Sequence, residues 1–235
     1  MNRRDFIIAG GLWLPAAYLA ACDSEGPRAA QPLLRRAERL NEKVERGLFR
    51  HTSMDMASAS ARDAGTAFPQ YFISDSVPVW NEAVRGKWTL EVGGAVQHPL
   101  TLSMEDLTRL RGITQRVDHY CVEGWTAVAE WTGVRVSELA RLAGLQPDAR
   151  YVDFQSFDKG YHESWDLASA MHPQTIVAYG MDGHYLGIAH GAPARINSPV
   201  KLGYKCTKYL TKILFLPERN GGYWSDQGYE WYGGV

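Results

Sequence analysis

The sequence predicts an α+β fold organised on a mixed sheet. Three observations carry this: short stretches alternate apolar and polar residues at the period of a strand, short capped helical segments are scattered among them, and the two kinds never settle into a regular βαβ order. In chain order, Lys87-Trp88-Thr89-Leu90-Glu91-Val92 alternates and stops at Gly93-Gly94, which reads as a strand and a turn. Ser103 followed by Met104-Glu105-Asp106-Leu107 reads as a capped helix. Gln115 to Tyr120 reads as a strand, which places Cys121 at a strand end. Ser137 is expected to cap a helix that runs to Ala143 and ends at Gly144. Tyr151-Val152-Asp153-Phe154-Gln155-Ser156 alternates again, Asp166 is positioned to cap a helix reaching His172-Pro173, and Lys212 to Leu216 closes the series as a strand.

The chain's ends are organised differently. MNRRDFIIAGGLWLPAAYLAAC sets Arg3-Arg4 before an apolar run from Phe6 to Ala21 and then a cysteine. That run is short and rich in Gly and Pro for a span of about 20 residues, so 1–21 is read as a signal peptide. Arg3-Arg4-Asp5-Phe6 resembles a twin-arginine export signal, and Leu19-Ala20-Ala21-Cys22 resembles a lipobox, whose cysteine would carry a lipid anchor. Residues 22–66 form a linker plus one amphipathic helix, with Leu33, Ala37, Leu40, Val44 and Leu48 at helical spacing, expected to lie against the body. The compact domain is 67–235.

A chain of 235 residues can bury a sizeable core. A formal net charge of -1 gives no footprint for nucleic acid. With Cys22 assigned to processing, Cys121 and Cys206 remain and could pair. No CxxC occurs, and no grouping has zinc-site spacing.

Three stretches can carry chemistry. In Asp118-His119-Tyr120-Cys121-Val122-Glu123-Gly124-Trp125, the Cys121 thiolate is a soft metal ligand, a nucleophile served by His119, or an inert buried thiol. His190-Gly191-Ala192-Pro193-Ala194-Arg195, with Lys201-Leu202-Gly203-Tyr204-Lys205-Cys206-Thr207-Lys208, gathers one His, one Arg and three Lys. A planar guanidinium fork and ammonium point charges beside a permissive glycine suit a phosphate-bearing cofactor; a solvated basic loop is the plainer reading. Tyr223-Trp224-Ser225-Asp226-Gln227-Gly228-Tyr229-Glu230-Trp231-Tyr232 is too aromatic for a disordered tail, and either packs on the body or lines a cleft.

In this order and spacing, CVEGW, HGAPAR, PVKLGYKCTKYL and GYWSDQGYEWY resemble the sulfite oxidase superfamily of molybdopterin enzymes, in particular its small bacterial branch of periplasmic methionine sulfoxide reductase catalytic subunits. The resemblance runs from about Ala67 to Val235. It implies a sulfite-oxidase-type mixed-sheet domain, with no room for the family's immunoglobulin-like dimerisation domain and hence a monomer or weak oligomer. It implies molybdenum-molybdopterin as cofactor, with Cys121 the protein's ligand to the metal. His190, Arg195, Lys205, Cys206, Thr207 and Lys208 would contact the cofactor, and Ser156 would supply a small hydroxyl. Tyr120, Tyr161 and Tyr204 would be hydrogen-bond donors near the catalytic metal. The activity implied is two-electron oxygen-atom transfer, of sulfoxide reductase or sulfite dehydrogenase type, on a small or peptide-borne sulfur or nitrogen oxide such as a sulfoxide, with electrons exchanged in either direction with a membrane or c-type cytochrome, on the periplasmic side. Two family features are missing: Ser74 of Tyr71-Phe72-Ile73-Ser74 stands where sulfite-oxidising relatives have an anion-binding arginine, and the Asn-x-x-Tyr-Glu pattern of the sulfoxide reductases is not reproduced.

Overall fold

A computed structural model describes residues 30–48, 56 and 68–235. The export signal, Cys22 and most of the segment between the first helix and Phe68 lie outside the described residues.

Alternation dictates the first sheet. β1 (Thr89–Gly94) turns Leu90 and Val92 inward while Glu91 faces solvent. It pairs in parallel with β10 (Leu210–Leu216) and antiparallel with β2 (Leu100–Ser103). β10 pairs antiparallel with β5 (Tyr151–Ser156), and β5 with β6 (His162–Asp166), so the order is β2-β1-β10-β5-β6 and the sheet is mixed, as expected. The second sheet is antiparallel: β3 (Gly112–Tyr120), β4 (Thr126–Arg135), β7 (Ile176–Met181) and β8 (His184–Tyr185), with β9 (Arg195–Asn197) on β7. These two sheets hold every strand among the described residues, so no strands there are left over for an immunoglobulin-like domain.

Leu90, Phe154, Trp165, Ile213 and Phe215 are fully buried in the main core. Each such side chain contributes roughly 1.5–3 kcal/mol by leaving water. A smaller cluster of Val117, Trp131, Ile176 and Ala178 backs the second sheet, with Phe68 packed against it.

The helices follow their caps, with one exception. α1 spans Gln31–Leu48 and α2 spans Glu82–Arg85. α3 (Met104–Arg109) has a full capping box between Ser103 and Asp106. α5 (Leu167–Ala170) is capped by Asp166, whose carboxylate accepts from the Ser169 amide at 2.9 Å; it ends earlier than the expected His172-Pro173. α4 spans Val136–Ala143 and ends at Gly144, which adopts the left-handed conformation at φ 69. Its N-cap is Arg135, not Ser137, and no side chain caps it. β4 runs straight into α4, so the helix starts where the strand ends rather than at the capping residue type.

The face that α1 presents is also a correction. Its apolar positions do not meet the body: Leu33, Leu40, Val44 and Leu48 are exposed, and no residue of the helix is buried. The contacts are polar. Arg46 pairs with Asp166 at 3.3 Å and lies 4.6 Å from the centre of the Tyr232 ring, and Arg219 pairs with Glu38.

Candidate active site

β3 and β4 pair from Gly112↔Val134 to Tyr120↔Thr126, and the turn closing them carries Cys121. The Cys121 amide donates to the Trp125 carbonyl at 3.0 Å and the Gly124 amide to the Cys121 carbonyl at 3.0 Å. Gly124 sits at φ 87, a conformation that costs a side-chain-bearing residue free energy. The tight turn delivers the thiol, half-buried, into a cavity of about 330 Å³ where the two sheets meet. Ser156, Tyr161, Arg195, Tyr204, Cys206 and Lys208 line the same cavity. No disulfide joins Cys121 to Cys206; both thiols are free.

The electrostatics of this cavity are unbalanced. Arg195 is 1% exposed and donates only to backbone carbonyls, those of Ile196 at 3.2 Å, His190 at 3.1 Å and Cys206 at 3.5 Å. It also lies 4.9 Å from the centre of the Trp131 ring. Lys208 donates to the carbonyls of Tyr71 at 2.6 Å and Ala189 at 2.9 Å. Neither cation forms an ion pair among the described residues. Burial, reinforced by Arg195, brings the Lys208 ammonium down to about 7. A buried charge without a counter-charge is costly, and an anion bound between these groups relieves that cost. Burial, followed by the fields of Arg195 and Lys208, also holds His119 down at about 3, so its imidazole is neutral. Its Nδ1 is buried without a hydrogen-bond partner. A Cβ on Gly203 would stand 2.6 Å from His119 Nε2, so only glycine lets the backbone approach this ring.

These features fit a phosphate-bearing cofactor whose metal takes a thiolate. A soft sulfur, two cations lacking carboxylates, an unsatisfied imidazole nitrogen and the unsatisfied Tyr209 hydroxyl converge there. They do not fit a thiol nucleophile. Burial raises the Cys121 thiol, and its side chain meets Glu123 Oε2 at 3.9 Å rather than a basic imidazole.

Other expected residues fall outside this constellation. Lys205 is fully buried, and its ammonium is held at 2.6 Å by Glu163, whose other oxygen accepts from the Trp224 amide at 2.9 Å. It is therefore not free to reach a phosphate. Thr207 is buried, with its hydroxyl directed to the Phe154 carbonyl at 3.4 Å, and His190 lies against Phe68, with ring centres 5.7 Å apart. None of these three lines the cavity. Ser156 accepts from the Asp158 amide at 2.9 Å. The Tyr161 hydroxyl donates to the Tyr204 carbonyl at 2.6 Å, and the Tyr204 hydroxyl donates to the Glu230 carbonyl. Both are committed to backbone, while Tyr120 donates to Asp118 at 3.0 Å.

Two residues escaped the sequence reading. Tyr209 adopts φ 57, unusual for a side-chain-bearing residue, and its buried hydroxyl lacks a partner. Glu123 accepts from Tyr71 at 3.1 Å and from the Trp125 indole at 3.0 Å, while the Tyr71 and Trp125 rings stack with centres 5.9 Å apart. No local pattern announces the first; the second stood inside the motif already singled out for its cysteine. The carboxyl-terminal aromatics divide: Trp231 and Tyr232 are buried, whereas Trp224 and Tyr229 line the cavity.

A thiol and two cations without carboxylate partners thus converge on one cavity between two sheets, and residues 76–224 match the model of the oxidoreductase molybdopterin binding domain, which makes the chain a molybdopterin-type oxidoreductase. The chain belongs to that family, and its cofactor is molybdenum-molybdopterin. It is 34% identical over 226 residues to YedZ1 of Azospira oryzae, whose name provisionally assigns it as a protein-methionine-sulfoxide reductase subunit; the match covers 96% of this chain and 83% of that protein. It is 32% identical over 169 residues to the oxidoreductase YuiH of Bacillus subtilis, covering 72% of this chain and 83% of that one. It is 31% identical to the protein-methionine-sulfoxide reductase catalytic subunit MsrP of Ralstonia nicotianae, covering 59% of this chain and 46% of MsrP. The sulfane dehydrogenase SoxCD of Paracoccus pantotrophus shares the fold, with a TM-score of 0.59 at 20% identity over 72% of this chain and 46% of that one.

Proposed function

We propose that this chain reduces a neutral, sulfoxide-like substrate by two-electron oxygen-atom transfer, with Cys121 as the protein's ligand to molybdenum. When bound, the cofactor supplies the two-electron change that accompanies movement of an oxygen atom. Cys121 offers the thiolate from a turn that Gly124 keeps tight. Arg195 and Lys208 are the groups suited to the cofactor's anionic end, and Arg195 is held in place by three carbonyls.

The mouth of the cavity favours an uncharged substrate. Ser74 donates to Asp158 where a sulfite-binding cation would be needed, and Glu123 lies beside Cys121. A carboxylate at that rim repels sulfite, while the stacked Tyr71 and Trp125 offer an apolar wall for a thioether. Removing the oxygen as water consumes two electrons and two protons, and a membrane or c-type cytochrome is the electron donor proposed. Export by the twin-arginine route, which carries folded proteins, fits a cofactor-loaded enzyme acting on the periplasmic side, held there by a lipid on Cys22.

The observation that carries this reading is the convergence of the Cys121 thiol with two cations that have no acid partner among the described residues, Arg195 buried and Lys208 half-buried. Metal analysis of the chain from a molybdopterin-producing host should give molybdenum approaching one atom per chain, and Cys121→Ser should abolish turnover and metal retention. With an artificial electron donor, methionine sulfoxide should be reduced, while sulfite with an acceptor should not turn over. A molybdenum-free parent chain, or an active Cys121→Ser, overturns the assignment.

A further inference from the structure

We infer that the outward face of α1 lies on an anionic lipid bilayer and rests the domain on the membrane surface. The helix is fixed to the body by its polar side. Glu38, Glu42 and Arg46 are half-buried, with Arg219 paired to Glu38 and Glu42, and Arg46 paired to Asp166. That orientation forces Leu33, Ala37, Leu40, Val44 and Leu48 outward along a single face; Leu33 is 69%, Leu40 61% and Leu48 72% exposed. An 18-residue helix that shows solvent a row of leucines while directing glutamates inward needs a second surface.

Charge and chain order select which surface. At 100° per residue, Arg36 and Lys43 fall along one flank of the apolar face and Arg39 stands further round on the same side, and all three are exposed. The helix's carboxylates lie on its other side, where Glu38 and Glu42 are engaged by Arg219. Leucines bordered by cations are the composition of a helix that lies in the lipid interface, its apolar row among the acyl chains and its cations at the headgroup phosphates. No helix among the described residues is long and apolar enough to cross a membrane, so the helix rests on the bilayer rather than spanning it. Cys22 stands nine residues before Gln31. A lipid there would hold α1 within roughly 30 Å of the membrane. The inference draws on the proposed export for which membrane is met, and its test does not depend on the cofactor.

A nitroxide attached through Leu40→Cys in the full chain reads the contact, with the unsubstituted chain taken through the same labelling as blank for its own thiols. In vesicles of phosphatidylglycerol and phosphatidylethanolamine, the label should collide with oxygen and be shielded from a water-soluble nickel chelate. Val44→Cys should repeat the result. Charge reversal of Arg36, Arg39 and Lys43 should weaken the shielding about fivefold per charge, as should vesicles of phosphatidylcholine alone. A label as open to the chelate in vesicles as in buffer overturns the inference. So does shielding in buffer without vesicles at the mass of a dimer, which would assign this face to a second copy. Molybdenum content and sulfoxide turnover of the same preparations report separately on the active site.

Discussion

Four cations from one stretch of 14 residues divide into two kinds. Lys201 and Lys205 are each buried against a carboxylate, Asp166 at 3.0 Å and Glu163 at 2.6 Å. Arg195, buried, and Lys208, half-buried, at the ends of the same stretch, donate to carbonyls and have no ion-pair partner among the described residues. The first kind joins the last strand of the first sheet to the carboxyl-terminal segment: Lys201 also donates to the Tyr232 carbonyl at 2.6 Å, and Glu163 also holds the Trp224 amide. The second kind faces the cavity. A cation that already has its anion belongs to the scaffold, and one left without an anion marks where a ligand's charge belongs.

The largest expected effect breaks the second kind. Arg195→Met should lower molybdopterin retention by roughly tenfold or more, because the positive charge proposed to meet the cofactor's anionic end has no replacement there. The cofactor-free variant should lose less than about 1 kcal/mol, since the charge removed was uncompensated. Metal analysis and urea unfolding of the same preparation separate the two. Equal loss in both would make Arg195 a scaffold residue.

Next come the scaffold pairs. Lys205→Met alone should cost about 3–5 kcal/mol in urea unfolding, because Glu163 is left buried and unpaired. Adding Glu163→Leu should recover most of that cost, with molybdenum content per folded chain unchanged. A metal-free but stable double variant would return Lys205 to the cofactor site.

The third prediction concerns acid. Burial pushes the Asp166 carboxyl up, but Lys201 and then Arg46, with the Ser169 amide, outweigh it and hold it at about 2. A folded value below the unfolded one means stability that is present at neutral pH. It is lost as pH falls from about 5 towards 2, by roughly 2 kcal/mol. Lys201→Met should shrink or abolish that acid limb in unfolding titrations, because without the ammonium burial raises the folded Asp166 carboxyl toward or above its unfolded value. The smallest effect is at the surface: Arg219→Ala, which breaks the pairs to Glu38 and Glu42, should cost under about 1 kcal/mol and disappear in high salt.

Much of this molecule is legible locally. Ser103 three residues before Asp106 specifies a cap, Gly144 specifies a stop, and the alternation of Tyr151–Ser156 specifies a strand with those bounds. Cys121 is found at the end of β3, where the strand pattern places it. These are statements about hydrogen bonds and side-chain periods within a few residues. The direction that α1 faces is not of this kind. The period is right, and the face is chosen by Arg219, more than 170 residues away, and by Asp166.

The site divides along the same line. The sequence by itself determined the strand end that carries the thiol, which follows from local periodicity, and the order of the cysteine, basic and aromatic motifs, which carries the resemblance to molybdopterin enzymes; the chemistry of sulfur and cations alone left Cys121 open between ligand, nucleophile and inert thiol. Only the tertiary structure decided which cations keep a free charge. Glu163 and Asp166 stand on β6, and folding brings that strand's end to Lys205 and Lys201 but not to Arg195 and Lys208. Partners 35 to 42 residues apart meet only when the sheet has formed, and whether a buried charge is neutralised depends on that meeting.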